Sequence, residues 1–598
     1  MLRRLFVLSF FALPFVLAAP APASACGGFF CDSAAPVVQQ AERIIFSKNA
    51  DGTVTAIVQI QYTGPSERFA WVLPVPGTPE VGVSSNVAFS ALTSATAPSY
   101  QLTTRTEGTC RTPDFPDAGF ADAGAVFDAG ADGGSSPVTV LGEGSVGPFD
   151  WVLISLDPMA TDPADAAVTW LTGNSYDVPA SGRDLLGPYL ADGMNLIAFR
   201  LTKQATAGDI QPIRLTYEAP CAMIPIKLTA VATQPDLPVL VWVLGSSRAV
   251  PTNYLSLRLN DALINWFAPL SNYDAVVGAA ADEAGGQGFV TEMSARTSTV
   301  PSLLPDLQAG WAARTRMRTS SSDHTVIADA VTTFAGWDGL NRVAGDTIPL
   351  APGQTAPQAL SCIQCEEFAG TGSSACSSLC PVGGQDLTGF DRTAFIDAID
   401  SEVVAPVREA DLLLRSRPYF TRLYTNLSAS EMTLDPSFDF NPTLPDVSNV
   451  HTAERVIECT PAVYSWEAPS SVTLPDGRVV RVAGSSPWPF TPRGSMPANT
   501  TVERLATTGE PVTVRDNQTD IDRVIETHNA EVPAAPDTLP DGGTLDGGAG
   551  DGGEDAGLPP DYTQGACSVG FGARPVGGLG PLLGFGLGVA LLGRRRRR

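Results

Sequence analysis

Two hydrophobic segments, one at each end of the chain, constrain what lies between them more than any other feature. Residues 1–25 begin with Arg3 and Arg4, continue with an apolar stretch and end in an A-x-A pattern. This pattern is typical of a secretory signal peptide that is cleaved between Ala25 and Cys26. The leader therefore predicts that the mature chain is exported from the cytosol.

The C-terminal segment predicts attachment to a membrane. Residues 575–593 form an uncharged span of 19 residues, and five arginines follow at 594–598. That length is about what a transmembrane helix needs, and arginines beside a span remain cytoplasmic. The leader sends the body to the opposite side, so both ends predict one topology. Cys567 precedes the span and is predicted to mark a processing site, with a permanent tail anchor as the alternative.

Ten cysteines in an exported chain predict disulfide bonds, because the compartments outside the cytosol are oxidising. Local pairs are expected between Cys26 and Cys31 and within 362–380. Lipid attachment to Cys26, the first mature residue, is an alternative. The nine disulfide candidates are Cys26, Cys31, Cys110, Cys221, Cys362, Cys365, Cys376, Cys380 and Cys459.

Four of these cysteines form a local cluster, C-x₂-C at 362–365 followed by C-x₃-C at 376–380. In a cytosolic protein this spacing would indicate a zinc site. Outside the cytosol, two disulfides are the prediction. Zinc binding and redox-active thiols remain alternatives, and no other cofactor is expected from this cluster.

The charge of the chain excludes one class of partner. Between the two ends it carries 29 basic and 63 acidic residues, a net charge of −34. Such a surface repels phosphate backbones, so no nucleic acid is expected to bind. Acidic residues are concentrated in Asp-Gly-rich stretches at 113–136 and 534–566. We predict a disordered insertion in the first, with a calcium loop as the alternative, and an extended stalk in the second.

Hydrophobic periodicity predicts the α+β class. Residues 54–62 alternate as one strand of a hairpin, and 239–244 are continuously apolar, as in a central strand. Residues 224–231 are also predicted as a strand. The tryptophans at 71, 151 and 242 lie in apolar strands, which favours core packing over a sugar-binding platform. Helices are predicted at positions including 86–96, 163–171 with Asp162 as its cap, 261–267 and 391–404, and short strands at 462–516.

This pattern divides the chain into six segments. We expect a mainly antiparallel β domain, a helical, disulfide-containing second region, a disordered acidic stalk and a single C-terminal transmembrane segment. The segments are the signal peptide at 1–25, the β-rich domain at 26–260 with its insertion at 113–136, the mainly helical Cys-containing region at 261–460, a small β-rich region at 461–533, the stalk at 534–566 and the sorting tail at 567–598 with its transmembrane segment at 575–593.

Catalytic motifs are missing from the sequence, so the chain is more consistent with a non-enzyme. Its three histidines are His324, His451 and His528, of which His451 is predicted to lie in a polar turn at 446–451. No nucleophile elbow, zinc-protease motif or phosphate-binding glycine loop occurs. We therefore assign no catalytic, cofactor-binding or metal-binding residue. The alternative is an exported hydrolase that uses a pair of carboxyl groups as acid and base.

The tail resembles a known sorting signal. Gly565-Ala566-Cys567-Ser568, the glycine-rich span and the terminal arginines are similar to the MYXO-CTERM signal of myxobacteria. The resemblance implies that a membrane-embedded sorting protease cleaves near Cys567, which would also be a site of lipid attachment. The protein would then pass from the inner membrane to the cell surface or outer membrane of a Gram-negative bacterium.

The body resembles an uncharacterised family, domain of unknown function 2330, over roughly 26–453. The resemblance is carried by CGGFFC at 26–31, IQYTG at 60–64, WVLPVP at 71–76, MIPIKLTA at 223–230, VWVLG at 241–245, RPYFTRLY at 417–424 and DVSNVH at 446–451. That family implies no activity. We therefore predict an exported, cell-surface-anchored protein with a structural or interaction role, whose partner is an unknown protein or envelope ligand.

Overall fold

Long strands dominate the chain before residue 300, and six consecutive helices follow. The computed structural model describes residues 38–63, 70–111, 139–157, 162–174, 176, 178, 181–201, 210–230, 233–536 and 567–568. The strands are β1 (Val38–Lys48), β2 (Thr53–Thr63), β3 (Ala70–Val75), β4 (Glu80–Val83), β5 (Ser99–Glu107), β6 (Thr139–Val146), β7 (Phe149–Ser155), β8 (Asn195–Leu201), β9 (Ile213–Glu218), β10 (Ala222–Met223), β11 (Leu237–Gly245), β12 (Ala249–Pro251), β13 (Leu255–Leu259), β14 (Gly288–Arg296), β15 (Tyr419–Leu427), β16 (Ser437–Phe440), β17 (Val450–Glu458), β18 (Ser470–Thr473), β19 (Val479–Val482), β20 (Asn499–Arg504), β21 (Val512–Asp516) and β22 (Cys567–Ser568).

The helices are short, and half of them lie between β14 and β15. They are α1 (Asn86–Thr96), α2 (Pro163–Gly173), α3 (Gly182–Ala191), α4 (Ile226–Thr229), α5 (Tyr273–Glu283), α6 (Leu304–Thr319), α7 (Asp323–Thr333), α8 (Leu340–Thr347), α9 (Ala356–Ala369), α10 (Arg392–Ala398), α11 (Ala405–Arg415) and α12 (Gln518–Glu531). A π-helical segment, Ile399–Val404, joins α10 to α11. It ends two residues before Pro406, whose missing N–H cannot continue a regular helical ladder.

A ten-stranded sheet forms the centre of the molecule. Its order is β21-β20-β13-β14-β15-β11-β1-β2-β9-β4. Seven of the nine neighbouring pairs are antiparallel, and β1–β11 and β13–β14 are parallel. Strand β11 lies between β1 and β15 and is buried along almost its whole length, which explains its continuous apolar sequence. The mixed α+β class with a mainly antiparallel sheet is therefore confirmed.

This sheet joins chain segments that are far apart in sequence. Val241 of β11 lies opposite Leu423 of β15, and Leu257 of β13 lies opposite Val502 of β20. Hydrogen bonds of this sheet therefore connect chain segments that lie on opposite sides of residues 260 and 460. The sequence pattern predicts segment boundaries at these two positions. Periodicity indicates which residues form strands, but it carries no information about which strands pair.

Helices α6–α11 form a module inserted between two hydrogen-bonded neighbours, β14 and β15. The module has its own apolar core, in which Phe334, Ile363 and Phe395 are fully buried. Ala88 of α1 belongs to the same core, so the module packs against the sheet through α1.

A buried carboxylate reinforces the contact between the module and α1. Asp338, just before α8, accepts hydrogen bonds from Asn86 N, Asn86 Nδ2 and Ser85 Oγ at the start of α1, at 2.6, 2.6 and 3.0 Å. An anion at a helix N-terminus is favourable because the first N–H groups lack helical partners. Burial raises the pKa of Asp338, which these hydrogen bonds partly oppose.

Three smaller sheets complete the fold. Helices α2 and α3 cover the antiparallel sheet β3-β8-β7-β6, and β16 pairs with both β10 and β12. The five-stranded sheet β19-β18-β17-β5-β22 has a parallel β5–β17 pair at its centre. A disulfide between Cys110 and Cys459, just after β5 and β17, fixes the two strand ends to each other.

Several local predictions are confirmed. Helix α1 occupies 86–96, and the N-terminus of α2 is capped by Asp162, whose Oδ1 accepts the N–H of Asp165 at 2.9 Å. The hairpin around 54–62 is β1–β2. Trp71 and Trp242 are buried in apolar strands, and Trp151 is half-buried against the core. Their burial supports core packing rather than a sugar-binding platform.

Two local predictions are wrong. The predicted strand at 224–231 is the short helix α4, because Pro225 has no N–H to donate to a sheet. The predicted helix at 261–267 is only a single turn, Asp261–Leu263. Its first carbonyl accepts the indole N–H of Trp266 at 2.9 Å, which replaces the hydrogen bond that a continuing helix would make. Helix α12 was not predicted.

Several predicted segments lie outside the described residues: the leader, the insertion at 113–136, all but the first residues of the stalk, and the transmembrane segment at 575–593. Within the described part of the chain, no helix combines the length and apolar character needed to cross a membrane.

A buried ion pair lies at the middle of the large sheet. Arg422 of β15 donates from Nε to Glu292 Oε2 of β14, and both side chains are fully buried. Arg422 Nη1 also donates to Thr96 Oγ1 and Thr93 O of α1, at 3.1 and 3.4 Å. The hydroxyl of Tyr273 in α5 donates to the other oxygen of Glu292. Burial raises the pKa of Glu292, and the positive charge of Arg422 opposes that rise.

We expect Glu292→Gln and Arg422→Met each to lower the free energy of unfolding by about 3–5 kcal/mol, because each substitution leaves the charge of the other residue buried without its partner. The double variant should cost clearly less than the sum of the two. Urea unfolding of the purified chain measures both. Asp520→Asn, which breaks the exposed pair with Arg523, is the control and should cost less than about 1 kcal/mol. If the cost of the double variant equals the sum of the two single costs, Glu292 and Arg422 are not directly coupled.

Candidate functional site

The cysteine cluster forms a loop that is stapled to α9. Cys362 and Cys365 lie three residues apart on this helix and therefore face the same side. The chain leaves α9 and returns so that Cys380 bonds to Cys362 and Cys376 bonds to Cys365. The prediction of two disulfides within 362–380 agrees with this structure, and the pairing is nested.

A buried carboxylate holds the inside of this loop. Glu366 lies one turn after Cys362, and its side chain is fully buried. Its carboxylate accepts the backbone N–H groups of Gly372 and Gln385 at 2.6 and 3.1 Å. Gly384 adopts a positive φ of 95° beside it, and a Cβ there would lie 2.3 Å from Glu366 Oε1, so only glycine fits. The loop is therefore fixed by both covalent bonds and hydrogen bonds.

Large apolar side chains project from this rigid segment into solvent. Phe368 is 83% exposed, Leu379 is 46% exposed and Val382 is completely exposed. Single exposed apolar residues are common on protein surfaces, but here three occur within 15 residues of a doubly stapled loop. A groove of about 280 Å³ lies beside Phe368, between α6, α7 and α9, with Met317 and Ala328 in its wall. This arrangement can bind an apolar group without first ordering the loop.

A second feature is a partly buried carboxyl–histidine pair beside β5 and β17. The ring of His451 in β17 stacks on Tyr100 of β5, with centroids 4.6 Å apart. His451 Nδ1 lies 4.0 Å from Asp261 Oδ1. Burial, with a smaller contribution from the charge of Asp476, raises the pKa of Asp261 to about 7, while burial lowers the pKa of His451. Asp261 can therefore exchange a proton near neutral pH.

The three histidines are not brought together. His451 lies in a strand, whereas the sequence pattern had placed it in a polar turn. His324 in α7 lies beside Glu366, with Nε2 3.4 Å from Oε2. His528 in α12 contacts Arg481 O through Nε2 at 2.8 Å. Each therefore belongs to a different part of the fold.

The remaining predicted site residues have separate locations. Cys110 and Cys459 form the long-range disulfide, and Cys221 is a free, half-buried thiol in the described structure. Ala25, Cys26 and Cys31 lie outside the described residues. Only the backbone of Cys567 is described, in the two-residue strand β22 beside β5.

Sequence reasoning missed Glu366 and Asp261. The signal for Glu366 was available, since a carboxylate four residues after Cys362 shares its helical face once 356–369 is recognised as a helix. Asp261 carried no comparable signal, because its pKa depends on burial by residues that are distant in sequence.

The fold and the stapled loop define the class: a mixed α+β protein with a large, mainly antiparallel sheet and a disulfide-stapled helical module. Residues 20–328 match the model of a family described as an uncharacterized protein conserved in bacteria (DUF2330), which is just over half of the 598 residues. The chain belongs to this family, as the resemblance of the body predicts. No curated protein and no solved structure matches the chain.

We expect Asp261→Asn to remove a pH-dependent loss of stability. The unfolded carboxyl ionises near its ordinary pKa of 3.8, whereas the folded one stays protonated up to about 7. Wild-type stability should therefore fall relative to the variant as the pH rises between these values. The difference should then level off at roughly 4 kcal/mol.

Urea unfolding across this pH range measures the effect. Asp184→Asn, at a carboxyl that is 83% exposed, is the control and should follow the wild-type curve. Parallel curves for wild type and Asp261→Asn would refute the shifted pKa.

Proposed function

We propose that the chain is an exported protein, anchored at the cell surface, that binds a protein or envelope partner through its stapled loop. The observation that carries this proposal is the exposure of Phe368, Leu379 and Val382 on a segment held by two disulfides. Apolar side chains exposed on a rigid support are typical of a binding surface, because little conformational entropy is lost when they dock.

Three disulfides within the described residues support the proposed export. Cys110–Cys459 bridges 349 residues of sequence, and the other two staple the loop after α9. Bonds of this kind persist in oxidising compartments and are rare in the cytosol. The leader at 1–25 and the apolar span at 575–593 support the same compartment from the sequence.

The proposed route has two membrane steps. The precursor would cross the inner membrane with its arginine tip in the cytosol, and a sorting protease would then act near Cys567. The acidic stalk at 534–566 would hold the folded body away from its attachment point, because its like charges repel each other. The mature protein would reside at the cell surface or outer membrane of a Gram-negative bacterium.

The hydrolase alternative remains a prediction. Asp261 would be its acid, since a carboxyl with a pKa of about 7 carries a proton close to neutral pH. The cavities beside Phe368 and between α2 and α3, of about 280 and 550 Å³, are not lined by Asp261 or His451. The exposed side chains of the stapled loop support the binding function instead.

We expect the double variant Phe368→Ser/Val382→Ser to bind isolated cell envelope at least ~10-fold more weakly than wild type, since hot-spot side chains carry most of the energy of an interface. Quantitative co-sedimentation with envelope from cells that lack the protein measures this. Leu412→Ser removes a 62% exposed side chain elsewhere in the helical module and should bind like wild type. Equal binding by all three proteins would rule out the loop as the docking surface.

We expect Cys567→Ser to block processing of the tail. Mass spectrometry of the purified wild-type protein should find a C-terminus at or near residue 567, whereas the variant should retain Arg598 and fractionate with the inner membrane. Cys221→Ser, at the free thiol, is the matched control and should be processed normally. A wild-type protein that retains Arg598 would instead favour a permanent tail anchor.

A further inference from the structure

We propose that the stapled loop contains a zinc site that is closed by oxidation and opens when the Cys362–Cys380 disulfide is reduced. The ligands would be the two thiolates, the carboxylate of Glu366 and the imidazole of His324. This inference is independent of the proposed function, because it concerns the inside of the loop rather than its exposed side chains.

The first observation is the convergence of three ligand atoms. Sγ of Cys362, Sγ of Cys380 and a carboxylate oxygen of Glu366 all lie within 4.8 Å of one another. Cys362 and Glu366 are fixed on one face of α9, four residues apart, and the loop brings Cys380 to them. A helix and a returning loop are a common source of ligands for structural zinc.

The second observation is the histidine that faces the same carboxylate. His324 Nε2 is buried, lies 3.4 Å from Glu366 Oε2 and makes no hydrogen bond within the described chain. A buried ring nitrogen that lacks a hydrogen-bond partner is available as a metal ligand. His324 is not one of the three residues whose ligand atoms all lie within 4.8 Å of one another, so it would join them through the movement that reduction allows. The set would then be two sulfurs, one nitrogen and one oxygen, which matches the four-coordinate preference of zinc.

One ligand separation already suits a tetrahedral ion. Zinc binds sulfur at about 2.3 Å and nitrogen or oxygen at about 2.0–2.2 Å, which places ligand atoms roughly 3.3–3.8 Å apart. The separation of His324 Nε2 from Glu366 Oε2 already falls in this range. Reduction lets the two sulfurs move apart from bonding distance to the spacing that the ion requires.

Oxidation state controls the site because a disulfide offers no thiolate. A dithiol reductant gives two electrons and two protons to the Cys362–Cys380 bond and becomes a disulfide, whereas a phosphine gives two electrons and becomes a phosphine oxide while water supplies the two protons. Both reactions leave two thiols, and zinc displaces the two thiol protons as it binds. A disulfide oxidant that accepts two electrons and is reduced to two thiols restores the Cys362–Cys380 bond and releases the ion, so the loop is held by zinc in one state and by the disulfide in the other.

The neighbouring disulfide provides an internal control. Cys365 and Cys376 are not members of the converging group, although they belong to the same loop. The proposed set therefore differs from a site made of all four cysteines, and the two can be separated by substitution.

The test uses the purified full chain, reduced with a phosphine, desalted without oxygen and dialysed against zinc. We expect about one zinc ion per reduced chain and none in the oxidised chain, measured by elemental analysis. Cobalt(II) added instead should give the absorption bands of a tetrahedral thiolate site. Cys362→Ser/Cys380→Ser should abolish binding, and Cys365→Ser/Cys376→Ser should retain it.

Two milder variants test the other ligands. His324→Ala and Glu366→Gln, reduced in the same way, should each weaken zinc binding at least ~10-fold. Circular dichroism shows whether each variant keeps its helical content, and His324→Ala leaves the hydrogen bonds of Glu366 to the loop in place. The proposal is overturned if reduced wild type binds no zinc, if Cys365→Ser/Cys376→Ser loses binding, or if folded His324→Ala binds as tightly as wild type.

Discussion

The ion pair between Arg422 and Glu292 is the interaction on which the central sheet depends. Moving two charges out of water costs several kcal/mol for each ion, so the pair is tolerable only with a complete set of partners. Those partners come from β14, β15, α1 and α5, and the Arg422 guanidinium also lies 5.5 Å from the Trp242 ring of β11. Glu292 precedes the inserted helical module and Arg422 follows it, so the same pair holds the two ends of the insertion together.

The helical module repeats this principle on a smaller scale. Glu366 is a buried carboxylate that organises a loop through two backbone N–H groups, and Asp338 organises the start of α1 in the same way. In each case a carboxylate replaces the water that backbone donors would otherwise need. Because the two disulfides and Glu366 hold the loop from the inside, the outer side chains of the loop can remain exposed. The proposed binding surface and the proposed zinc site are therefore two sides of one rigid element.

Local chemistry made parts of this fold predictable. The boundaries of α1, the cap of α2 by Asp162 and the burial of β11 follow from side-chain pattern and capping preference, which depend on near neighbours in sequence. The prediction failed at 224–231, where alternating apolar residues belong to a short helix after Pro225. In the candidate site, the two local disulfides and the helical face that Glu366 shares with Cys362 were predictable, whereas the contacts of Glu366 with Gly372 and Gln385 depend on how the loop returns to α9.

The sequence alone determined the composition of the chain, its cysteine spacing, its resemblance to a bacterial family and the expectation of export, because all of these are properties of local runs of residues. Tertiary structure decided which strands pair, that Cys110 meets Cys459, and that Asp261 lies near His451 in a partly buried site. These outcomes join residues hundreds of positions apart. These contacts form because many side chains are buried together, and no single stretch of sequence specifies that joint burial.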